Sequence, residues 1–303
     1  MWNRNLILPA LACALAVLPV PAHAQFKELV PAELQMQSDP QWPGADALGL
    51  DLEETSDDQT HLREFYRRIK VLTEKGKELA TVRMPYLPDL ESLVTVNART
   101  IHADGTVIPL SGQPSDLVEL QGKKFRVQTI VFTLPSVEVG SILEYQVEFR
   151  TRPKMVDEPL WEIQQDYPVR MAHFSLHSYV PKDVQVTDRY GNDRGVLLYS
   201  AHLPGHEFVK YNQATDTHSL DIKNIPQAPN EDWMPPSRSS NYRVEFFYTD
   251  AISPQNFWQH TGESWVAVTQ AFLKPSGKLN KIAASLVTPS DSPEEKARKL
   301  YRG

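Results

Sequence analysis

The hydrophobic and polar positions of this 303-residue chain fall mostly into short alternating runs, the period-two signature of half-buried strands. Phe65–Leu72 and Leu79–Tyr86 flank Thr73-Glu74-Lys75-Gly76-Lys77-Glu78, a polar glycine-containing connection of hairpin type. Leu93–His102 and Thr106–Leu110 flank Ala103-Asp104-Gly105, and Asp-Gly favours a tight hairpin turn because the central residues there need positive φ. Val127–Leu134 is apolar on both faces, as a central covered strand is. In the next run Ile142, Glu144, Gln146 and Glu148 oppose Leu143, Tyr145, Val147 and Phe149, which predicts one wet face and one core face. Further candidates are Trp161–Asp166, Ala172–Val180, Val184–Asp188, Val196–Ser200, Glu207–Tyr211 and His218–Ile222, separated by turn signals such as Tyr190-Gly191-Asn192-Asp193. No helical pattern intervenes. The expected fold is mainly β, an antiparallel β-sandwich module with a short C-terminal helical tail.

Residues 25–61 form a lead-in segment of low periodicity, and Glu53, Glu54, Asp57 and Asp58 read as a solvated charge run, without the spacing of a calcium loop. The β-sandwich region spans residues 62–225, and a Pro-rich connector, residues 226–240, is the expected boundary, since proline fixes φ and removes a ladder donor. The remainder, residues 241–303, reads as a last strand, Tyr242–Tyr248, followed by helices. Lys278–Leu286 is one helix; Ser292-Pro293-Glu294-Glu295 opens another, with Ser292 as N-cap and Glu295 as the reciprocal capping residue. Ala297, Leu300 and Tyr301 then make an apolar stripe, and so short a helix is marginal unless it docks on something.

Residues 1–24 have the order of a secretory signal peptide: Arg4, the apolar run Leu6–Val20, then Ala22-His23-Ala24 before a cut. Pro9 and Pro19 interrupt a run shorter than the roughly 20 apolar residues a bilayer demands, so no stable membrane span is expected after cleavage. The predicted location is periplasmic or secreted. The formal charge of −7, deepened by one when Arg4 leaves, lacks the basic footprint of a nucleic-acid binder. Cys13, the single cysteine, lies in the leader, so a mature chain has no disulfide, thiolate ligand or cysteine nucleophile.

Little other chemistry is legible. His173 and His177 sit four apart in a strand pattern, which places their rings about 13 Å apart, too far to share an ion. His202 and His206 flank a turn without an obvious third ligand, so no metal and no cofactor is expected. There is no Gly-x-Ser-x-Gly elbow, P-loop or dinucleotide fingerprint, and Gly262-Glu263-Ser264-Trp265 lacks the second glycine of an elbow. Trp161, Trp233, Trp258 and Trp265 serve either the core or a contact surface, and the core is the expectation for most of them. Trp233, within the connector, and Tyr242, just after it, are the candidate interface or ligand-contact residues; no catalytic residue is assigned.

Three stretches together resemble the DUF3857 family: Arg68-Ile69-Lys70-Val71-Leu72 with Gly76, then Ala98–Thr106, then Phe132–Tyr145. Their order and spacing carry the likeness, which covers about residues 60 to 230. The resemblance implies a β-sandwich module without an established catalytic role, found before a transglutaminase-like domain in exported bacterial proteins. In that partner domain a cysteine, a histidine and an aspartate form the triad; no residue here matches a member of it, and the helical tail looks like the approach to such a domain. Two functions follow as expectations. One is a non-catalytic module supporting or presenting substrate to a transglutaminase-like domain or protein. The other is a stand-alone module binding cell-envelope peptide or glycan.

Overall fold

Leu48, Leu50 and Leu52 alternate with small or acidic neighbours in Ala47–Asp57, and this stretch forms an eleven-residue strand, β1. The computed structural model describes residues 26–121, 126–153, 155–178, 186–187, 193–194, 196–230, 233, 240–249 and 254–302. The predicted leader with Cys13, much of the Pro-rich connector and most of Val184–Asp188 lie outside them. The remaining strands are β2 (Leu62–Val71), β3 (Thr81–Tyr86), β4 (Glu91–Ile101), β5 (Val107–Pro109), β6 (Ser115–Gln121), β7 (Arg126–Thr133), β8 (Ile142–Thr151), β9 (Leu160–Glu162), β10 (Val169–His177), β11 (Val186–Thr187), β12 (Asp193–Arg194), β13 (Val196–His202), β14 (Lys210–Asn212), β15 (Thr217–Ile225) and β16 (Arg243–Thr249). The helices are α1 (Pro31–Leu34), α2 (Pro254–Leu273), α3 (Gly277–Leu286) and α4 (Pro293–Arg302).

The protein is mainly β: among the described residues fourteen of the sixteen strands form three sheets, β11 and β12 pair with each other, and helices follow at the C-terminal end. An eight-stranded sheet runs β14-β15-β10-β1-β2-β8-β4-β5, and two three-stranded sheets run β3-β7-β6 and β13-β16-β9. Pairing is antiparallel except between β1 and β10. Both small sheets lie on the same face of the large one. Phe132 of β7 meets Tyr145 of β8 edge-on at 5.7 Å, and Tyr86 of β3 lies 5.7 Å from Phe149. On the other side Trp161 of β9, fully buried, stacks on Phe174 of β10 at 5.5 Å and meets Phe246 of β16 at 4.7 Å. Such aromatic contacts join the layers into one core.

Several expectations are corrected. β2 and β3 are not a hairpin: a 3-10 turn, Lys75–Ala80, carries the chain from the large sheet to a small one. Gly76 lies so close to the Asp46 carbonyl that a Cβ would stand 2.2 Å from its oxygen, which leaves no room for any other residue. The lead-in is not a plain connection, because it contains β1 at the centre of the large sheet and, before β1, a segment lying over that sheet's outer face. The last strand, β16, is the middle strand of a small sheet and so belongs with the β layers rather than with the helices. The expected helical tail is longer than the two helices singled out: α2, a twenty-residue helix that contains Gly262–Trp265, comes before them. The β4–β5 hairpin forms as expected, closed by His102 N–H donating to Thr106 O at 2.9 Å, although only Gly105 of the Asp-Gly pair takes positive φ, 88°. The capping box also forms: Ser292 Oγ accepts from Glu295 N at 3.2 Å, and Ser292 N donates to Glu295 Oε2 at 2.9 Å.

The predicted wet face of β8 is not wet. Glu144 is fully buried, and the cross-strand register sets it between Arg68 of β2 and Arg99 of β4. Its Oε1 accepts from Tyr66 Oη at 2.5 Å and Arg68 Nη1 at 2.6 Å, and its Oε2 accepts from Arg99 Nε at 2.5 Å. Arg68 reaches on to Glu33 of α1 at 2.9 Å, and the buried Lys70 donates to Leu34 O at 2.8 Å. Burial, reinforced by the Glu144 carboxylate, pushes the Tyr66 phenol pKa well up, so it stays a donor. Below this polar band Leu34, Met36 and Trp42 cover Leu48, Leu50, Ile101 and Ile142. Glu144→Ala strands two guanidinium groups and is expected to lower the unfolding free energy by about 3–5 kcal/mol; urea unfolding of the variant checks it, and a loss below about 1 kcal/mol would contradict a closed cluster.

Candidate functional site: a charged cleft between two strand edges

The two small sheets do not meet. Between them a cleft of about 740 Å³ opens onto the large sheet. Its floor is supplied by alternate residues of the central strands: Glu54 of β1, Arg63, Phe65 and Arg67 of β2, Tyr145 and Phe149 of β8. One wall is Val82–Pro85 of β3; the other is Leu160 and Glu162 of β9 with Glu245–Phe247 of β16. Its volume is in the range of ligand sites, about 300–1,000 Å³, and its lining is charged rather than apolar.

The arginines of the floor are already engaged. Arg67 pairs with Glu54 and donates through Nη1 to the carbonyls of Glu53 and Tyr66, each at 3.0 Å. Burial pushes the Glu54 carboxyl pKa up, although Arg67 opposes that shift. Arg63 lies between Glu91 at 2.9 Å and Asp157 at 3.0 Å, with its guanidinium carbon 5.2 Å from the centre of the Phe65 ring. Fixed ion pairs of this kind shape a floor; they do not supply a nucleophile or a free base.

Asp58, behind the Asp157 end of the cleft, is buried and holds that end in place. Its Oδ1 accepts from Asp157 N at 2.8 Å and its Oδ2 from Tyr248 Oη at 2.6 Å. Desolvation pushes its pKa up to about 7, assisted by the nearby carboxylates of Asp157 and Asp57 and opposed by the two donors. The sequence reading of Asp58 and Glu54 as a solvated run is thus corrected: β1 carries Glu54 into the cleft floor between the layers, and the turn that follows β1 buries Asp58 behind it.

The residues singled out from sequence lie elsewhere. Trp233 is 100% exposed at φ 67°, and Tyr242 is half-buried with its ring 5.7 Å from His202. Tyr242 lines an adjoining pocket of about 410 Å³ with Gln164, Asn241 and Arg243, which shares Leu160, Glu162 and Gln165 with the cleft, and its N–H donates to Gln164 Oε1 at 2.9 Å. Neither residue lines the cleft. His173 and His177, both on β10, find separate partners: His173 Nδ1 is 2.7 Å from Asp221 Oδ1 of β15, and His177 Nε2 is 3.0 Å from Gln59 Nε2 in the turn after β1. Among the described residues no group of three or more His, Cys, Asp or Glu converges as a metal site. Of the four tryptophans weighed as core or contact surface, Trp161 is core, while Trp233, Trp258 and Trp265 are exposed. The cleft residues had one sequence signal: β2 carries charge on both faces, Arg63 and Arg67 on one, Arg68 and Lys70 on the other, which a strand with one plainly apolar face does not.

Layered antiparallel sheets with a cleft between them define a β-sandwich type of module. The chain belongs to the DUF3857 family, described as a domain of unknown function with solved structure, which it matches over residues 57–229. That range leaves out β16 and nearly all of β1, both integral to the sheets. No curated protein matches the chain. Among solved structures, that of a "putative protease" from Parabacteroides distasonis is similar at a TM-score of 0.56 and 14% identity, covering 85% of this chain and 49% of that one. Native leukotriene A4 hydrolase from Saccharomyces cerevisiae aligns at a TM-score of 0.29 and 11% identity, over 73% of this chain and 33% of that one. Baculovirus P35 aligns at 0.29 and 11% identity, over 69% and 98%. The chain therefore spans about half the length of the first of these structures and a third of the second.

The titration of Asp58 sets the sign of a pH effect. In the folded protein the carboxyl keeps its proton to about pH 7, whereas the unfolded chain releases it near 3.8. The unfolded state thus binds fewer protons between those values, and this group's contribution to stability falls as pH rises from about 4 to 7, by at most about 4 kcal/mol. Asp58→Asn should flatten that slope in denaturant melts at pH 5 and pH 8; an unchanged slope would place the effect elsewhere.

Proposed function

We propose that this chain is a non-catalytic, exported β module that supports, or presents peptide substrate to, a transglutaminase-like thiol enzyme domain. The observation that carries the reading is the apolar stripe of α2. Trp258, Trp265 and Phe272 are spaced seven apart, so they lie nearly along one line of the helix, and all three are exposed, with Val268 and Leu273 beside them. A run of large exposed apolar groups of this kind marks a contact surface. The stripe also sits close to the cleft: Phe257 of α2 stacks at 5.3 Å on Phe247, which lines the cleft wall. A domain seated on α2 would therefore stand beside the cleft mouth.

Two further facts support the reading. DUF3857 membership brings the expectation of a transglutaminase-like neighbour, and the similar structure, about half of which this chain covers, is described as a "putative protease". The only cysteine, Cys13, precedes the predicted cut, so the thiol chemistry belongs to the partner domain. Export follows from the leader pattern of residues 1–24.

A second reading, a stand-alone module for envelope peptide or glycan, draws on the cleft rather than on α2. The chain from residue 25 onward is expected to show no peptide or isopeptide cleavage and no transfer of a fluorescent amine to a glutamine peptide. Robust turnover in either assay would sink the non-catalytic reading, and saturable binding of a defined envelope fraction without a partner domain would favour the second.

A further inference from the structure

The backbone at the two walls of the cleft carries an inference that goes beyond the partner-domain reading and does not depend on it. β3 and β9 are both edge strands, each paired on one side only. The phase of each ladder is fixed by its hydrogen bonds. Leu134 N donates to Ala80 O at 2.9 Å, so by the alternation of an antiparallel ladder Val82, Met84 and Tyr86 bond to β7. Arg83 and Pro85 accordingly turn their backbone groups away from β7, and Pro85, with no N–H, suits such a position. On β9, Phe246 N donates to Pro159 O at 3.1 Å and Ile163 N to Tyr242 O at 3.1 Å, which turns Leu160 and Glu162 away from β16. By that phase Arg83 N–H and C=O, Pro85 C=O and both backbone groups of Leu160 point outward from their ladders, on strands that pair on one side only. These residues line opposite walls of one cleft.

The charge of the cleft selects among ligands that could use such edges. Six carboxylates and three guanidinium groups line it. Each guanidinium has a carboxylate partner: Arg67 has Glu54, Arg63 has Glu91 and Asp157, and Arg83 has Glu119 outside the cleft at 3.0 Å. Glu162 is exposed on the β9 wall; its carbonyl accepts from Gln165 Nε2 at 2.8 Å, while its carboxylate has no hydrogen-bond or ion-pair partner among the described residues.

We propose that the cleft receives an extended peptide carrying basic side chains, which adds to the outer edge of β3 as a further strand and faces Glu162 across the cleft. The outward-facing backbone groups of β3 supply main-chain recognition, and the exposed carboxylate of Glu162 on the facing wall supplies the preference for Lys or Arg at alternate positions. From Thr81 to Pro85 the edge matches about five residues of extended chain, roughly 16 Å.

The test uses the chain alone and five probes: the fluorescently labelled peptide acetyl-Thr-Lys-Val-Lys-Val-Lys-Thr-amide, its Glu-for-Lys counterpart, two versions of the Lys peptide N-methylated at alternate amides in either phase, and chitotetraose. The Lys peptide is expected to bind saturably in a polarisation assay and the Glu peptide not to. One phase of N-methylation should weaken binding at least tenfold, because it removes the donors that face β3. Glu162→Lys, on an exposed side chain with no fold role, should weaken the Lys peptide about fivefold. Arg83→Pro, checked for an unchanged melting transition, should weaken it by removing an edge N–H. Absence of Lys-peptide binding, equal binding of the Glu peptide, indifference to methylation in both phases, or binding of chitotetraose with none of the peptide would each overturn the proposal. None of these outcomes bears on the turnover assays that test the partner-domain reading.

Discussion

A carboxylate with no access to water stands at the centre of the large sheet. Glu144 accepts hydrogen bonds from Tyr66, Arg68 and Arg99, on strands to either side of its own. An ion so placed is tolerated only where its lone pairs are matched and the site is closed, since an unpaired buried charge costs several kcal/mol. Closure comes from the segment before β1, where α1 provides Glu33 to Arg68 and the Leu34 carbonyl to Lys70. The outer face is thereby sealed by a short chain segment rather than by a sheet. The inner face is left to the two small sheets, and its central strands supply the floor of the cleft between them.

That division explains the character of the cleft. β1 and β2 send charge to both faces, so the ion pairs under the cleft are the inward counterpart of those around Glu144. On the inner face the pairs Glu54–Arg67 and Arg63–Asp157 sit at the bottom of an open channel rather than under a lid. The channel walls are strand edges, which in most proteins are protected against stray pairing. Pro85 on β3 and the brevity of β9 give some of that protection, and Arg83 and Glu162 add charge. An edge so guarded rejects an apolar strand more strongly than a charged, complementary one.

Much of the β architecture is legible in the chain. The strand over Ile142–Phe149, the Asp104-Gly105 turn and the Ser292–Glu295 capping box each rest on a local rule, and each appears at its expected place, although the strand's expected wet face does not. The failures also have local reasons. β1 carries a bulge between Gly49 and Asp51, which sets Leu48 and Leu50 on the same face as Asp51 and Glu53, so a strict period-two count breaks in mid-strand. In α2 the seven-residue spacing of Trp258, Trp265 and Phe272 was there to be found, but its residues are rich in Thr, Trp, Phe and Val, which favour helix only weakly. The cleft was not legible, since it is formed by residues of β1, β2, β3, β8, β9 and β16 that are distant in sequence and share no motif.

The sequence by itself determined the alternation of faces, the turns and caps, the family and the single cysteine in the predicted leader, because each depends on residues close together or on composition alone. Only the tertiary structure decided which alternating face was dry. Glu144 and Glu148 occupy equivalent positions of one strand, yet Glu144 alone is fully buried, because the segment before β1 brings its carboxylate under cover between two arginines. It also decided that β2 and β3 part company, that β3 and β9 face each other, and that the space between them remains open. A polar residue's environment is set by what the rest of the chain lays over it, and that long-range choice is not written in a local period.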